Sequence, residues 1–154
     1  VRDFASIRSD FATQIGTLSG WTLAGVPADA FGVSDVGSAV ASTQAHLSYA
    51  VGIGPSVPSS RVVSDRQRAA EGLLLDTEVS VRFLSRIAAK AKLDAVDAGL
   101  TAERNLLGKV LARSASWPLY FHVWFVSANR QTVPGSDWRQ HDVRFLVLHR
   151  IAIT

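Results

Sequence analysis

The alternation of apolar and polar positions divides the chain into two helical and five extended stretches. Phe4, Ile7, Phe11, Ile15 and Leu18 recur every three or four residues and form one apolar stripe, the signature of an α-helix. Asp3 stands where its carboxylate can accept the first free amide hydrogens, and Gly16 and Gly20 close the region. Trp21 to Val26 reads as a short strand cut off at Pro27. Residues 33 to 45 show no period and read as loop. Leu47, Tyr49, Val51 and Ile53 then alternate with small or polar residues, as a half-buried strand does. Leu75, Thr77, Val79, Val81 and Phe83 alternate with Asp76, Glu78, Ser80 and Arg82, the clearest strand in the chain.

From Ala88 the period changes to helical. Val96, Leu100, Leu107, Val110 and Leu111 share one stripe, and Asp94 with Asp97 resembles a capping box. Gly99 inside this helix costs about 1 kcal/mol against Ala and marks a bend or a break between two shorter helices. Leu119 to Val126 and Val143 to Ile153 are apolar on both faces and flank Pro134-Gly135. They predict a final hairpin with a polar tip from Ser127 to Asp142. The order is helix, three strands, helix, two strands: an α+β domain with a mostly antiparallel sheet and two main helices on one face. Two helices cover only one side of such a sheet, so a second chain is the expected cover of the other.

A length of 154 residues fits a single domain spanning 1–154. Within it, residues 54–72 form a long arm holding Pro55, Pro58, Arg61, Arg66 and Arg68, and arms of that length usually bind something or are disordered. The chain has no cysteine, which excludes disulfides and thiolate metal sites. It also has no methionine, so Val1 is expected to follow a removed initiator. The formal charge is +3, with Arg supplying most of the cations, scattered along the chain. No apolar run approaches the roughly 20 residues of a membrane span, and the N-terminus lacks the pattern of a signal peptide.

Candidate chemistry is sparse. His46, His122, His141 and His149 lack the spacing of a helical zinc motif, and core or interface roles are expected for them. With a turn centred near Pro134, His122 would face Leu146. His141 and Asp142 are adjacent on a strand and point to opposite faces, so they cannot form a relay with Ser136. Gly52-Ile53-Gly54 follows a strand but runs into Pro55 with no Lys-Ser/Thr, which rules out a phosphate loop. Glu78 and Glu103 have no partner that the pattern can place. No catalytic, cofactor or metal residue is therefore assigned, and the chain is expected not to be an enzyme. Arg61, Arg66, Arg68, Trp138 and Arg139 are the candidate partner-interface residues; Asp65 and Glu71 offset the arm's charge, and no aromatic residue is interleaved for base stacking. Trp138 between Asp137 and Arg139 suits an interface anchor or local packing.

The assembled order resembles the tail terminator, or tail-completion, proteins of long-tailed bacteriophages. The resemblance rests on the Phe4-Ala5-Ser6-Ile7-Arg8 helix start, the arm after the strand His46 to Ile53, and Glu78-Val79-Ser80-Val81-Arg82-Phe83. The helix Asp94 to Ala112 and Trp138-Arg139-Gln140-His141-Asp142-Val143-Arg144-Phe145 complete it. It spans nearly the whole chain and is one of architecture, not of a signature motif. It implies a virion protein made in the host cytoplasm, forming a hexameric ring that ends the tail tube and meets a head–tail connector or stopper protein. DNA would pass through the channel without specific binding. Alternatives are another neck or minor tail protein, or a small nucleic-acid- or ligand-binding module.

Overall fold

The computed structural model describes residues 2–26, 28, 31, 46–59, 72–87, 92–112, 120, 122–132 and 137–152. Helix α1 spans Phe4–Gly16, and the Asp3 carboxylate accepts the Ser6 amide at 2.8 Å, the expected N-cap. Strand β1 is Thr22–Leu23, β2 Ser48–Pro58, β3 Leu73–Arg86, helix α2 Lys92–Leu111, β4 His122–Thr132 and β5 Trp138–Ile151. The strands form one sheet in the order β1-β2-β3-β5-β4, antiparallel except for the short β1–β2 pair. The fold is the α+β arrangement, in the element order, that the pattern predicts.

Both helices lie on one face of the sheet. Ile7, Phe11 and Ile15 of α1 and Ala102, Leu106 and Val110 of α2 close over Tyr49, Val51, Val79, Val81, Phe83, Val143, Phe145 and Val147. Aromatic rings stitch this core: Phe11 lies 5.9 Å from Phe145 and Trp21 4.8 Å from Phe83, centroid to centroid. The Tyr49 hydroxyl donates to the Ala12 carbonyl at 2.6 Å, fixing α1 to β2.

Three details depart from the pattern. Strand β2 continues beyond Gly54 to Pro58, because a bulge between Ile53 and Ser56 accommodates Pro55 without loss of the strand. A second bulge, between Phe125 and Ser127, switches which residues of β4 face the helices. Val123 stands opposite Val147 before it, and Ala128 and Arg130 stand opposite Val143 and His141 after it. Pairing runs on to Thr132 and Arg139, so most of the segment 127–142 is ladder rather than tip, and His122 faces Leu148, not Leu146.

The third departure is in α2. The helix is unbroken through Gly99, and its buried residues are Gly99, Ala102, Glu103, Leu106 and Val110. A Cβ on Gly99 would lie 2.9 Å from the Ser85 hydroxyl oxygen, so the glycine serves close helix–sheet approach, not a bend. Leu100 and Leu111, read from the pattern as part of the inward stripe, are exposed.

Candidate interaction site

Trp138 and Arg139 are the first two residues of β5, pointing to opposite faces of the sheet. Trp138 pairs with Arg86 and is half-buried against a small cluster of Ala28, Phe31, Ala50 and Leu84 on the face away from the helices. Arg139 is half-buried between Ser85 and Thr132. Arg61, Arg66 and Arg68 lie outside the described residues.

The face away from the helices carries charge at its centre. The Arg144 guanidinium donates to Glu78 at 3.0 Å and to Asp142 at 3.4 Å, and Arg82 meets the same Asp142 oxygen at 3.4 Å. Arg82 also donates to the Ala28 and Phe31 carbonyls at 2.9 and 3.2 Å, pinning those residues over the sheet. Gly52 makes room for this: a Cβ there would stand 2.8 Å from that of Ala28. Asp142, then Glu78, hold the Arg144 guanidinium even more firmly protonated than usual. A hollow of about 390 Å³ opens beside this ladder over Gly52, Gly54, Glu78 and Ser80. Gln140 Oε1, Asp142 Oδ1 and Arg144 Nε along this face are buried without a hydrogen-bond partner.

A second polar group is sealed beneath α2. Glu103 reaches from α2 to the sheet, where it accepts from both Arg130 and the His141 Nδ1, the latter at 2.8 Å. His141 is fully buried and stacks on Phe83 at 4.2 Å, and its Nε2 lies 3.0 Å from the Ser85 hydroxyl. An ionised Glu103 can only accept, so Nδ1 carries the proton and Nε2 accepts from Ser85. Burial alone would raise the Glu103 pKa, but hydrogen bonds and charge from Arg130 and His141 outweigh it and the net shift is downward. Burial lowers the His141 pKa despite Glu103. The Ser–His–Glu order is that of a nucleophile relay, yet Ser85 is fully buried with Gly99 pressed on it, so what the group does is fasten α2 to β3, β4 and β5.

His149 performs the same service for α1. Its Nδ1 donates to the Arg2 carbonyl at 2.9 Å and its Nε2 lies 2.6 Å from the Thr77 hydroxyl, itself 2.8 Å from that of Ser56. The Arg2 amide returns a bond to the Arg150 carbonyl at 2.8 Å. Asp10 gathers the Arg2 guanidinium and the Tyr120 hydroxyl, and burial and Asp10 push the Tyr120 pKa far up. The roles of Glu103 and His141 were signalled only by position: His141 alternates in phase with Val143 and Phe145, and Glu103 sits among Ala102 and Leu106. Among the described residues no group of side chains is arranged to hold a metal ion, and no helix is long and apolar enough to cross a membrane.

Among the described residues the exposed large apolar side chains gather in three places, apart from Phe4 at the start of α1. Leu23, Val26 and Val57 lie at or beside β1 and β2, Phe125 and Val126 lie at the β4 bulge, and Leu93, Leu100 and Leu111 lie on α2. The first two groups stand at opposite ends of the sheet. Beside Leu23 and Val26 a hollow of about 580 Å³ runs along α1 past Ala5, Arg8 and Ala12.

No protein-family model matches the sequence, and no curated protein is similar to it. Among solved structures, a chain described as part of the virion of a native gene transfer agent particle superposes on this one with a TM-score of 0.54. The two are 15% identical, and the match covers 94% of this chain and 95% of that one, which shows that they share a fold.

Proposed function

We propose that the chain is a structural virion subunit that forms a ring, most simply a hexamer, at the end of a phage-like tail tube, where it stops tube growth and joins tail to head. The observation that carries this reading is the superposition with a virion chain across nearly the full length of both proteins. It agrees with the tail terminator resemblance in the sequence.

The geometry supports lateral assembly. A cyclic ring needs two different complementary surfaces on each copy. The two ends of the sheet offer them: Leu23, Val26 and Val57 at one, Phe125 and Val126 at the other. The partly exposed Glu78 and Arg144 side chains suit contact with a polar partner surface such as the tube or the connector. We assign no catalysis to the chain: Glu103, His141 and His149 hold the helices to the sheet. DNA would pass the ring without specific contact.

The test is tail assembly with and without the protein. With it, tubes should have one length and carry a ring at the head-proximal end by electron microscopy; without it, tubes should vary in length and fail to join heads. Uniform tubes that still lack a head junction would favour the second reading, a neck or connector protein, which the virion superposition supports equally. Unchanged tubes and normal joining would overturn both.

A further inference from the structure

Helix α2 carries two apolar stripes, and the sheet uses only one. Leu93, Leu100 and Leu107 follow at intervals of seven residues, with Leu111 four further on. At about 100° per residue these fall on one ridge beside the stripe of Gly99, Ala102, Leu106 and Val110 that meets the sheet; Leu107 packs partly against the core, and Leu93, Leu100 and Leu111 are left to solvent. Leu93 is 74% exposed, Leu100 37% and Leu111 38%. Heptad spacing of leucines on an outward ridge is the pattern of a helix seeking another helix.

Charge decides which helix. Asp97 and Arg104 stand on the same ridge, one on each side of Leu100. We propose that two copies of this chain associate through α2, the helices antiparallel about a two-fold axis close to Leu100. An axis between Leu100 and Thr101 sets Asp97 of each copy against Arg104 of the other and the two Leu100 side chains near each other. The same axis lays Leu93 on Gly108 of the second copy, where an added Cβ would meet nothing within 4 Å. Beside Gly108 a hollow of about 540 Å³ is lined by Leu18, Arg104, Lys109 and Ala112. The most exposed leucine therefore has a receiving site on the same surface, and acidic Asp94 beside it approaches a basic rim. A parallel, in-register pairing would instead face Asp97 with Asp97 and Arg104 with Arg104. The contact is isologous, so it pairs copies and cannot by itself close a six-membered ring; it stands independently of the ring reading and leaves both sheet ends free.

The test is the mass of the full chain in solution as concentration rises. A contact limited to one helix ridge on each copy lies at the small end of protein interfaces and predicts a monomer–dimer equilibrium with a Kd on the order of 10 to 100 μM. Leu93→Glu should abolish the dimer and leave the circular dichroism and thermal transition unchanged. Asp97→Arg alone and Arg104→Asp alone should each raise Kd about tenfold or more, since each turns two attractive pairs into repulsive ones. A one-to-one mixture of the two single variants should restore association, because both ion pairs re-form between unlike copies. A wild-type chain that stays monomeric through the millimolar range, a dimer indifferent to Leu93→Glu, or a mixture no tighter than its components would each overturn the proposal. So would a monomeric chain whose ridge binds only a different virion protein. None of these results bears on tube length, which tests the ring separately.

Discussion

Along the helix side of the sheet, one rung runs Tyr49, Phe83, His141, Arg130 and the next Val51, Val81, Val143, Ala128. On the other side the corresponding rungs run Ala50, Arg82, Asp142, Asn129 and Gly52, Ser80, Arg144, Ser127. The first face is a hydrophobic floor with one polar group sunk in it. The second is charged at its centre and paired within itself, with apolar residues to either side: Leu84, Ala50 and Trp138 at one end, and Leu74, Leu146, Leu148 and Trp124 at the other. The face that no described helix covers is therefore not one continuous apolar expanse. Its cations and carboxylates neutralise one another across strands, and the unsheltered apolar surface moves to the sheet ends and to the outer ridge of α2. Stability should accordingly depend heavily on the covered face and lightly on the open one.

The largest expected effect is at Phe83, fully buried between Trp21 and His141. Phe83→Ala should cost about 3 to 5 kcal/mol, read from urea unfolding. Ser80→Ala, on the other face of the same strand, should change stability by under about 0.5 kcal/mol. Comparable losses at both positions would break the contrast between the faces.

Next comes the sunken polar group. Glu103→Ala leaves the His141 ring nitrogen without its acceptor in a dry setting and opens space under α2. A loss of about 2 to 4 kcal/mol is expected, with hydrogen exchange in α2 accelerating more than in α1. Equal acceleration in both helices would show that Glu103 does not act as the local fastening of α2.

Much of this was legible in the sequence, and the reason differs by element. Strand β3 was plain because its alternation is strict and one face is buried along its whole length. Helix α1 was plain because its single apolar stripe is also its buried one. Helix α2 misled because it carries two stripes, and the sheet takes the one with Gly99, Ala102 and Glu103, whose small size permits close approach and whose carboxylate finds partners on β4 and β5. Nothing local shows that Glu103 and Arg130 will meet, since the pairing depends on the β4 bulge that turns Arg130 inward. The open face was expected to be apolar because Leu119 to Val126 and Val143 to Ile153 carry apolar residues on both parities; Trp124, Leu146 and Leu148 do stand on that face, while its centre at Arg82, Asp142 and Arg144 is charged, and the bulge adds Val126 to the first run.

Acid should weaken the covered face first. His141 and His149 have pKa values depressed below the ordinary 6.5 chiefly by burial, so the native state favours their neutral forms. The unfolded chain then binds more protons, and stability is complete above pH 6.5 and declines as pH falls toward the folded values. Glu103, depressed below 4.5, adds a second decline at lower pH. Unfolding curves from pH 8 to 4 should show a midpoint falling in two stages, and His149→Gln should flatten the first. A midpoint that rises on acidification would mean that the buried rings are held as cations.

The smallest effect should come from the ladder on the open face. Glu78 and Arg144 keep 28% and 40% of their side-chain surface in solvent, so water screens their attraction and each retains rotamer freedom. A double-mutant cycle of Glu78→Ala and Arg144→Ala should give a coupling of about 0 to 1 kcal/mol, shrinking further as salt is raised. Arg144 keeps Asp142 as a second partner, so Glu78→Ala strands no charge and its single effect should match that of an ordinary surface substitution. A salt-insensitive coupling of about 3 kcal/mol would mean that the ladder is kept dry in the free chain. The two faces would then be alike in burial, and the buried, partnerless atoms of Gln140 and Asp142 would add to the cost of keeping that ladder dry.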